Sequence, residues 1–173
     1  MSGNGRFDLR FAGAGGQGIV MAGRVLAEAA LRAGRAATHS QAYGPASRGG
    51  ASRSDVVIAD DEVVFPLVRR PRVLIALTEE ALGRYGDDLA SGGTLIADVE
   101  AAEEGDLVLP IVETAARVVG TELASGVVAL GVLSAAIPDA DLETLAETIA
   151  DRVPATLRDA NLEAFAAGRA MVR

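Results

Sequence analysis

Phe7-Asp8-Leu9-Arg10-Phe11-Ala12, followed by Gly13-Ala14-Gly15-Gly16-Gln17-Gly18 and then Ile19-Val20, is the stretch from which the fold class can be read. Apolar and polar residues alternate over 7–12, which predicts a first strand. Gly13 to Gly18 predicts a tight loop. Ile19, Val20, Val25, Leu26, Ala29, Ala30 and Ala33 then recur at helical spacing, so a helix is expected from Gln17 to about Ala33, with Gly34 as its stop. The loop matches G-x-G-x-x-G. Glycines there permit positive φ and close backbone approach, and the following helix start offers free N–H groups to an anion. A nicotinamide-binding site would also need an Asp or Glu about 20 residues further on. That region reads Ala37-Thr38-His39-Ser40, and no acid lies between Glu28 and Asp55. The pattern therefore favours two uses for the loop, packing the helix against the strand or holding a phosphate or a partner carboxylate; a docking subunit without ligand contact and a stand-alone nucleotide-dependent oxidoreductase are the alternatives.

Downstream, a short second strand is expected at Arg35–His39, and residues 40–53 read as a long loop without periodicity. Asp55–Ala59 reads as a strand and Val63–Phe65 as a brief further one before Pro66. Val73–Leu77 is a short apolar run suited to a strand buried on both faces. Thr78 is a candidate cap for a helix at Glu79–Leu89, whose first turn carries Glu79 and Glu80. Thr94–Asp98 and Leu107–Pro110 are strands, with a helix near Val112–Val119. Val127–Ala136 is apolar on every side, as a buried helix would be. Leu142, Leu145, Ala146, Ile149 and Val153 mark an amphipathic helix ended by Pro154, and a last helix covers about Ala155–Ala167. After a flexible tail at 1–6, residues 7–173 form one domain. Its expected class is α/β: a single Rossmann-like, doubly wound and mostly parallel sheet with a helical C-terminal end.

Composition narrows the chemistry. The 173 residues contain no Cys, which excludes iron–sulfur ligation, thiolate zinc sites and a cysteine nucleophile within this chain. All 16 basic residues are Arg, so Schiff-base chemistry and a Walker lysine are excluded as well. The single histidine, His39, reads as a structural residue at a strand end, and no metal site is expected. A net charge of −8 argues against nucleic acid as the main partner. Residues 9–54 nevertheless hold six arginines against one acid, Glu28, so the N-terminal third is suited to an anionic ligand or a complementary subunit. No apolar run is long enough to span a bilayer and no signal-peptide core is present, so a cytoplasmic location is expected.

Two segments taken together carry a resemblance. Gly13-x-Gly15-Gly16-Gln17-Gly18-Ile19-Val20 leads into Ala22-Gly23-Arg24-Val25-Leu26-Ala27, and 25 residues after Gly18 comes Tyr43-Gly44-Pro45-Ala46-Ser47-Arg48-Gly49-Gly50-Ala51-Ser52. The combination resembles the γ subunit, or γ domain, of 2-oxoacid:ferredoxin oxidoreductases, most nearly the single-domain 2-oxoglutarate form. Pyruvate, 2-oxoisovalerate, indolepyruvate and phenylglyoxylate enzymes have related subunits. Ala46, Ser47, Arg72 and Gly126 depart from that family's usual residues, which leaves the substrate branch open. The resemblance implies a subunit without catalytic residues of its own and inactive alone, packed on α and β catalytic subunits and a ferredoxin-like subunit. Those partners would hold thiamine diphosphate, Mg2+ and 4Fe–4S clusters, with ferredoxin or another acceptor taking the electrons. This chain would shape the coenzyme A side of the site. Gly13, Gly15, Gly16, Gln17, Gly18 and Arg48 are the candidate anion contacts. Tyr43, Gly44, Pro45, Arg48, Gly49 and Gly50 form a candidate partner-interface loop, with Arg48 as an anion clamp.

Overall fold

A computed structural model describes residues 5–43, 50–137 and 144–172. The chain runs β1 (Phe7–Gly13), α1 (Ile19–Arg32), β2 (Ala36–Ala42), β3 (Ser52–Ala59), β4 (Val73–Ala76), α2 (Glu79–Tyr85), β5 (Thr94–Asp98), β6 (Leu107–Leu109), α3 (Ile111–Val119), α4 (Ser125–Ala136), α5 (Leu145–Arg152) and α6 (Arg158–Ala170). The strands form one sheet in the order β2-β3-β1-β4-β5-β6. β1, β4, β5 and β6 are parallel to one another, whereas β3 is antiparallel to both β1 and β2. β3 thus inserts between β1 and β2. The α1 crossover still delivers β2 parallel to β1, one position away from it.

The second strand extends further than its sequence suggests. Ala36 to Ala42 pair with Ala59 to Arg53, so much of the stretch read as a 40–53 loop is an antiparallel ladder. The polar residues Ser40, Gln41, Arg53 and Ser54 hid it, because β2 is a half-solvated edge strand without an apolar run. His39 consequently lies inside a strand, not at its end. Val63–Phe65 forms no strand, and the Phe65 carbonyl accepts from the Arg6 side chain, Nη1 at 2.6 Å, instead of from a neighbouring strand. α2 ends at Tyr85, and Gly86–Asp88 tightens into a 3₁₀ turn.

The two faces of the sheet differ. Leu9, Phe11, Val56, Ile58, Ile75 and Ile96 project into the main core, with α1, α3, α4, α5 and α6 packed over them. α4 is buried along Ser125–Leu133 as its uniform apolarity predicts, and it crosses α6 at very close range. A Cβ on Gly131 would stand 2.1 Å from the Phe165 carbonyl, and one on Gly168 2.1 Å from that of Val128. Among the described residues the opposite face carries α2, through Ala81 and Tyr85, and the extended segment 60–72. Asp98, buried at the end of β5, accepts the N–H groups of Glu100 and Val112, both at 2.8 Å, and so supplies the acceptor that the start of α3 lacks.

Candidate functional site

The glycine loop leaves β1 at its carboxyl end, where the crossover to β2 and the neighbouring β4 diverge. In open α/β sheets that position is where ligands bind. Its glycines have different duties. Gly16 and Gly18 adopt left-handed φ of 91° and 71°. Gly18 is also jammed against the turn that leads into α4: a Cβ there would lie 2.2 Å from the Leu123 carbonyl oxygen. A Cβ on Gly13 would come within 2.6 Å of Gln17 Oε1. Gly15 and Gly16 face open space, with nothing within 4 Å.

Gln17 is built into the loop. It is buried, its Oε1 accepts the Ala14 N–H at 2.8 Å, and its carbonyl accepts Gly126 N–H at 2.9 Å. Gly13 and Gln17 therefore brace the turn, while Gly15, Gly16 and Gly18 line a cleft of about 340 Å³. That cleft also takes in the first turn of α1 (Ile19, Val20 and Met21), together with Arg24, Tyr43 and Leu123. The first turn of α1 carries no acid and no capping side chain, so the positive end of the helix opens into the cleft.

The structure thus brings the glycine loop and Tyr43, the first residue of the second motif, to one place. Tyr43 is 66% exposed and Leu123 57%, which leaves an apolar rim around a cationic floor. Gly44, Pro45, Arg48 and Gly49 lie outside the described residues. Gly50 is half-buried and does not line the cleft; Ala51 beside it is tied to α2, its N–H donating to Glu80 Oε1 at 3.2 Å and its carbonyl accepting from the Tyr85 hydroxyl at 3.4 Å.

Sequence reasoning missed Arg24. It is exposed, has no ion-pair partner among the described residues, and lies one helical turn from Val20 and Met21 on the same face. That spacing was the available signal. His39 lies beneath, packed over Gly23, where a Cβ would stand 2.9 Å from its Nε2, and hydrogen-bonded through Nε2 to Ser54 Oγ at 2.8 Å. Burial, and then the charge of Arg24, push its pKa below the usual histidine value, with Asp55 opposing weakly. It packs beneath α1, in surroundings that disfavour its charged form.

A second polar centre also escaped the sequence reading. Arg10 and Asp55 are paired across β1 and β3 and buried on the thinly covered face. Arg10 Nε and Nη2 reach Asp55 at 2.7 and 3.0 Å, Nη1 reaches Asp88, and Nη2 also donates to the Val68 carbonyl at 2.9 Å. Burial opposes the Arg10 charge, but the hydrogen bonds and charges of Asp55 and Asp88 outweigh it and raise its pKa. Each guanidinium nitrogen of Arg10 is engaged within the fold, so this centre anchors structure. Among the described residues no cluster of metal-ligating side chains occurs, and no helix is long and apolar enough to cross a membrane.

The profile of the pyruvate ferredoxin/flavodoxin oxidoreductase family matches residues 8–171. The 2-oxoglutarate synthase subunit KorC of Methanothermobacter marburgensis is 38% identical, over 96% of this chain and 97% of its own. The γ subunit of a keto/oxoacid ferredoxin oxidoreductase from Geobacter sulfurreducens superposes with a TM-score of 0.84 at 38% identity, covering 97% of both chains. The 2-oxoglutarate:ferredoxin oxidoreductase of Magnetococcus marinus, solved with 2-oxoglutarate, coenzyme A and succinyl-CoA bound, gives a TM-score of 0.83 at 25% identity. That match covers 96% of this chain but 31% of the other, so there the same fold is one part of a longer polypeptide.

Proposed function

The chain belongs to the pyruvate ferredoxin/flavodoxin oxidoreductase family as a γ-type subunit of a 2-oxoacid:ferredoxin oxidoreductase, and we propose that its glycine-loop cleft forms part of the coenzyme A side of the assembled active site. The observation that carries this reading is the convergence of the α1 N-terminus, the open backbone at Gly15 and Gly16, and Arg24, which has no ion-pair partner among the described residues, on one cleft with an apolar rim. A ligand bearing phosphates next to an apolar arm has the chemistry to fill it. The N–H groups and guanidinium take the phosphate oxygens, and Tyr43, Leu123 and Met21 take the less polar part. Arg48, five residues beyond Tyr43 in the sequence, is the candidate for a second guanidinium to an anion or to a partner carboxylate, on its sequence position alone.

The redox chemistry belongs to other chains. Without a Cys this subunit has no thiolate for a cluster. The described lining of the cleft holds no carboxylate, imidazole or thiol, so the reading gives it a binding role and no bond-making step. Its work is positional: the braced loop, fixed by Gln17 and by the Gly126–Gln17 hydrogen bond, holds the anion-binding N–H groups rigid. α and β catalytic subunits would hold thiamine diphosphate and Mg2+, and these together with a ferredoxin-like subunit would hold the clusters, with 2-oxoglutarate as the leading substrate.

Hydrogen exchange on the assembled complex tests the reading. Coenzyme A is expected to slow exchange of the 14–24 amides while leaving 125–136 unchanged. Protection of 14–24 by subunit assembly alone, with no further effect of coenzyme A, would make this a docking subunit without ligand contact.

A further inference from the structure

Segment 60–72, Asp-Asp-Glu-Val-Val-Phe-Pro-Leu-Val-Arg-Arg-Pro-Arg, crosses the thinly covered face of the sheet and takes no part in the glycine-loop cleft. It is irregular but firmly held, with its carbonyls turned inward. Phe65 O accepts from Arg6 Nη1 at 2.6 Å, Pro66 O from Thr38 Oγ1 at 3.4 Å, Leu67 O from Arg6 Nη2 at 3.2 Å and Val68 O from the buried Arg10. Val68 and Pro71 are buried as anchors. The other side chains are consequently presented outward: Val64 is 86% exposed, Leu67 54% and Phe65 41%. The remaining large apolar residues that are exposed stand singly in the sequence, so this is the one such run among the described residues.

The run is flanked by charges of opposite sign. Asp60, Asp61 and Glu62 precede it and Arg69, Arg70 and Arg72 follow, all exposed. Apart from the Asp60–Arg35 pair, none of the six has an ion-pair partner among the described residues. A surface that reads acid, apolar, basic along one line is complementary to itself when turned end for end. A two-fold axis near Phe65 and Pro66 would set each copy's acids against the other's arginines and stack the two apolar runs. Such an isologous contact is closed and cannot propagate. A hollow of about 410 Å³ at the acidic end is lined by Asp60, Asp61, Glu62, Val64 and Phe65 and by Arg6, whose charge is met by Asp8, so its three remaining carboxylates can receive an arginine side chain.

We infer that segment 60–72 is a dimerisation surface on which a second copy of this chain docks antiparallel, leaving the glycine-loop cleft free for the catalytic subunits. The inference is independent of the coenzyme A reading, since no residue of the segment lines that cleft.

Sedimentation of the full chain between about 1 and 100 µM is expected to show a monomer–dimer equilibrium, and Val64→Glu to weaken it at least tenfold. Val64 is too exposed for that change to disturb the fold, which circular dichroism verifies. Asp61→Arg/Glu62→Arg and Arg69→Glu/Arg70→Glu are each expected to weaken self-association, whereas an equimolar mixture of the two recovers it as a heterodimer. The chain that carries all four changes, with both ends inverted, is expected to self-associate again but not to pair with the parent chain, a pattern that only an end-for-end contact produces. Because the chain has no Cys, Val64→Cys carries a single thiol, and a short bismaleimide is expected to join it to the same residue region of another copy, alone and in the assembled complex. A chain monomeric throughout, a dimer indifferent to these changes, a mixture that fails to recover, or a cross-link from Val64→Cys to a different subunit would each overturn the inference.

Discussion

Replacing Gly18 with alanine separates the scaffolding role of the glycine loop from its ligand role. At φ 71° an alanine pays the left-handed penalty of about 1–2 kcal/mol. Its Cβ would also stand 2.2 Å from the Leu123 carbonyl oxygen, a main-chain atom that cannot rotate aside, so the α1 start and the 122–126 turn must part by roughly an ångström. Overpacking of that kind costs typically about 1–3 kcal/mol. The sum, about 2–5 kcal/mol, corresponds to a Tm lowered by about 5–20 °C in a domain of this size. Gly15 is the internal control. It has no positive φ and an empty surround, so Gly15→Ala is expected to change stability by no more than about 0.5 kcal/mol while still placing a methyl group in the cleft. Urea unfolding and calorimetry on the two variants side by side give the answer. If Gly18→Ala is as stable as the parent, or Gly15→Ala falls as far as Gly18→Ala, the division of labour argued for the loop is wrong.

Other consequences can be measured on the same protein. Arg10→Met leaves the buried Asp55 carboxylate with only the longer ion pair to Arg53, at 3.5 Å, and is expected to cost about 3–5 kcal/mol, most of it recovered in Arg10→Met/Asp55→Leu; a recovery of less than half would show that the pair is not the unit. His39 resists protonation in the folded chain, whereas the unfolded chain takes a proton at about pH 6.5. Folding stability should therefore fall as pH drops below 6.5, and His39→Gln should flatten that window without losing more than about tenfold in turnover of the assembled complex. Glu28, held low chiefly by its hydrogen bond to Arg152, contributes in a different window: its share is present above about pH 4.5 and lost below it, so Arg152→Ala should alter only the acid limb. The isolated chain should show no 2-oxoacid- and coenzyme A-dependent viologen reduction, and activity should appear when its partner subunits are restored; turnover by the chain alone would contradict the subunit assignment.

The strand–glycine–helix opening was legible because its cues are local: alternation in 7–12, glycines where φ turns positive, helical spacing from Ile19. The buried β4 and β5 runs and the uniformly apolar α4 were legible for the same reason. The β2–β3 ladder was not, since its signal is pairing between polar edge residues distant in sequence, and no local period reports it. Nor was the insertion of β3 between β1 and β2, which depends on tertiary packing. At the candidate site, the loop was found and Arg24 was not, although its position one turn from Val20 and Met21 follows from helix geometry. Gln17 matched the family pattern as a contact, yet its amide is turned into the loop, a choice that rests on the Ala14 N–H and cannot be read from spacing. Arg10 and Asp55 looked like polar members of alternating strands. Only the register, which sets them directly opposite each other, makes them a buried pair.

Steady-state kinetics of the reconstituted complex with Arg24→Ala test the account most directly. Arg24 makes no ion pair in the described fold, so the variant should assemble and melt as the parent does. If the cleft grips coenzyme A phosphate, the apparent KM for coenzyme A should rise by about tenfold or more, with the KM for the 2-oxoacid unchanged and Arg24→Lys recovering only part of the loss. An unchanged KM for coenzyme A in an intact complex would contradict the assignment of this cleft.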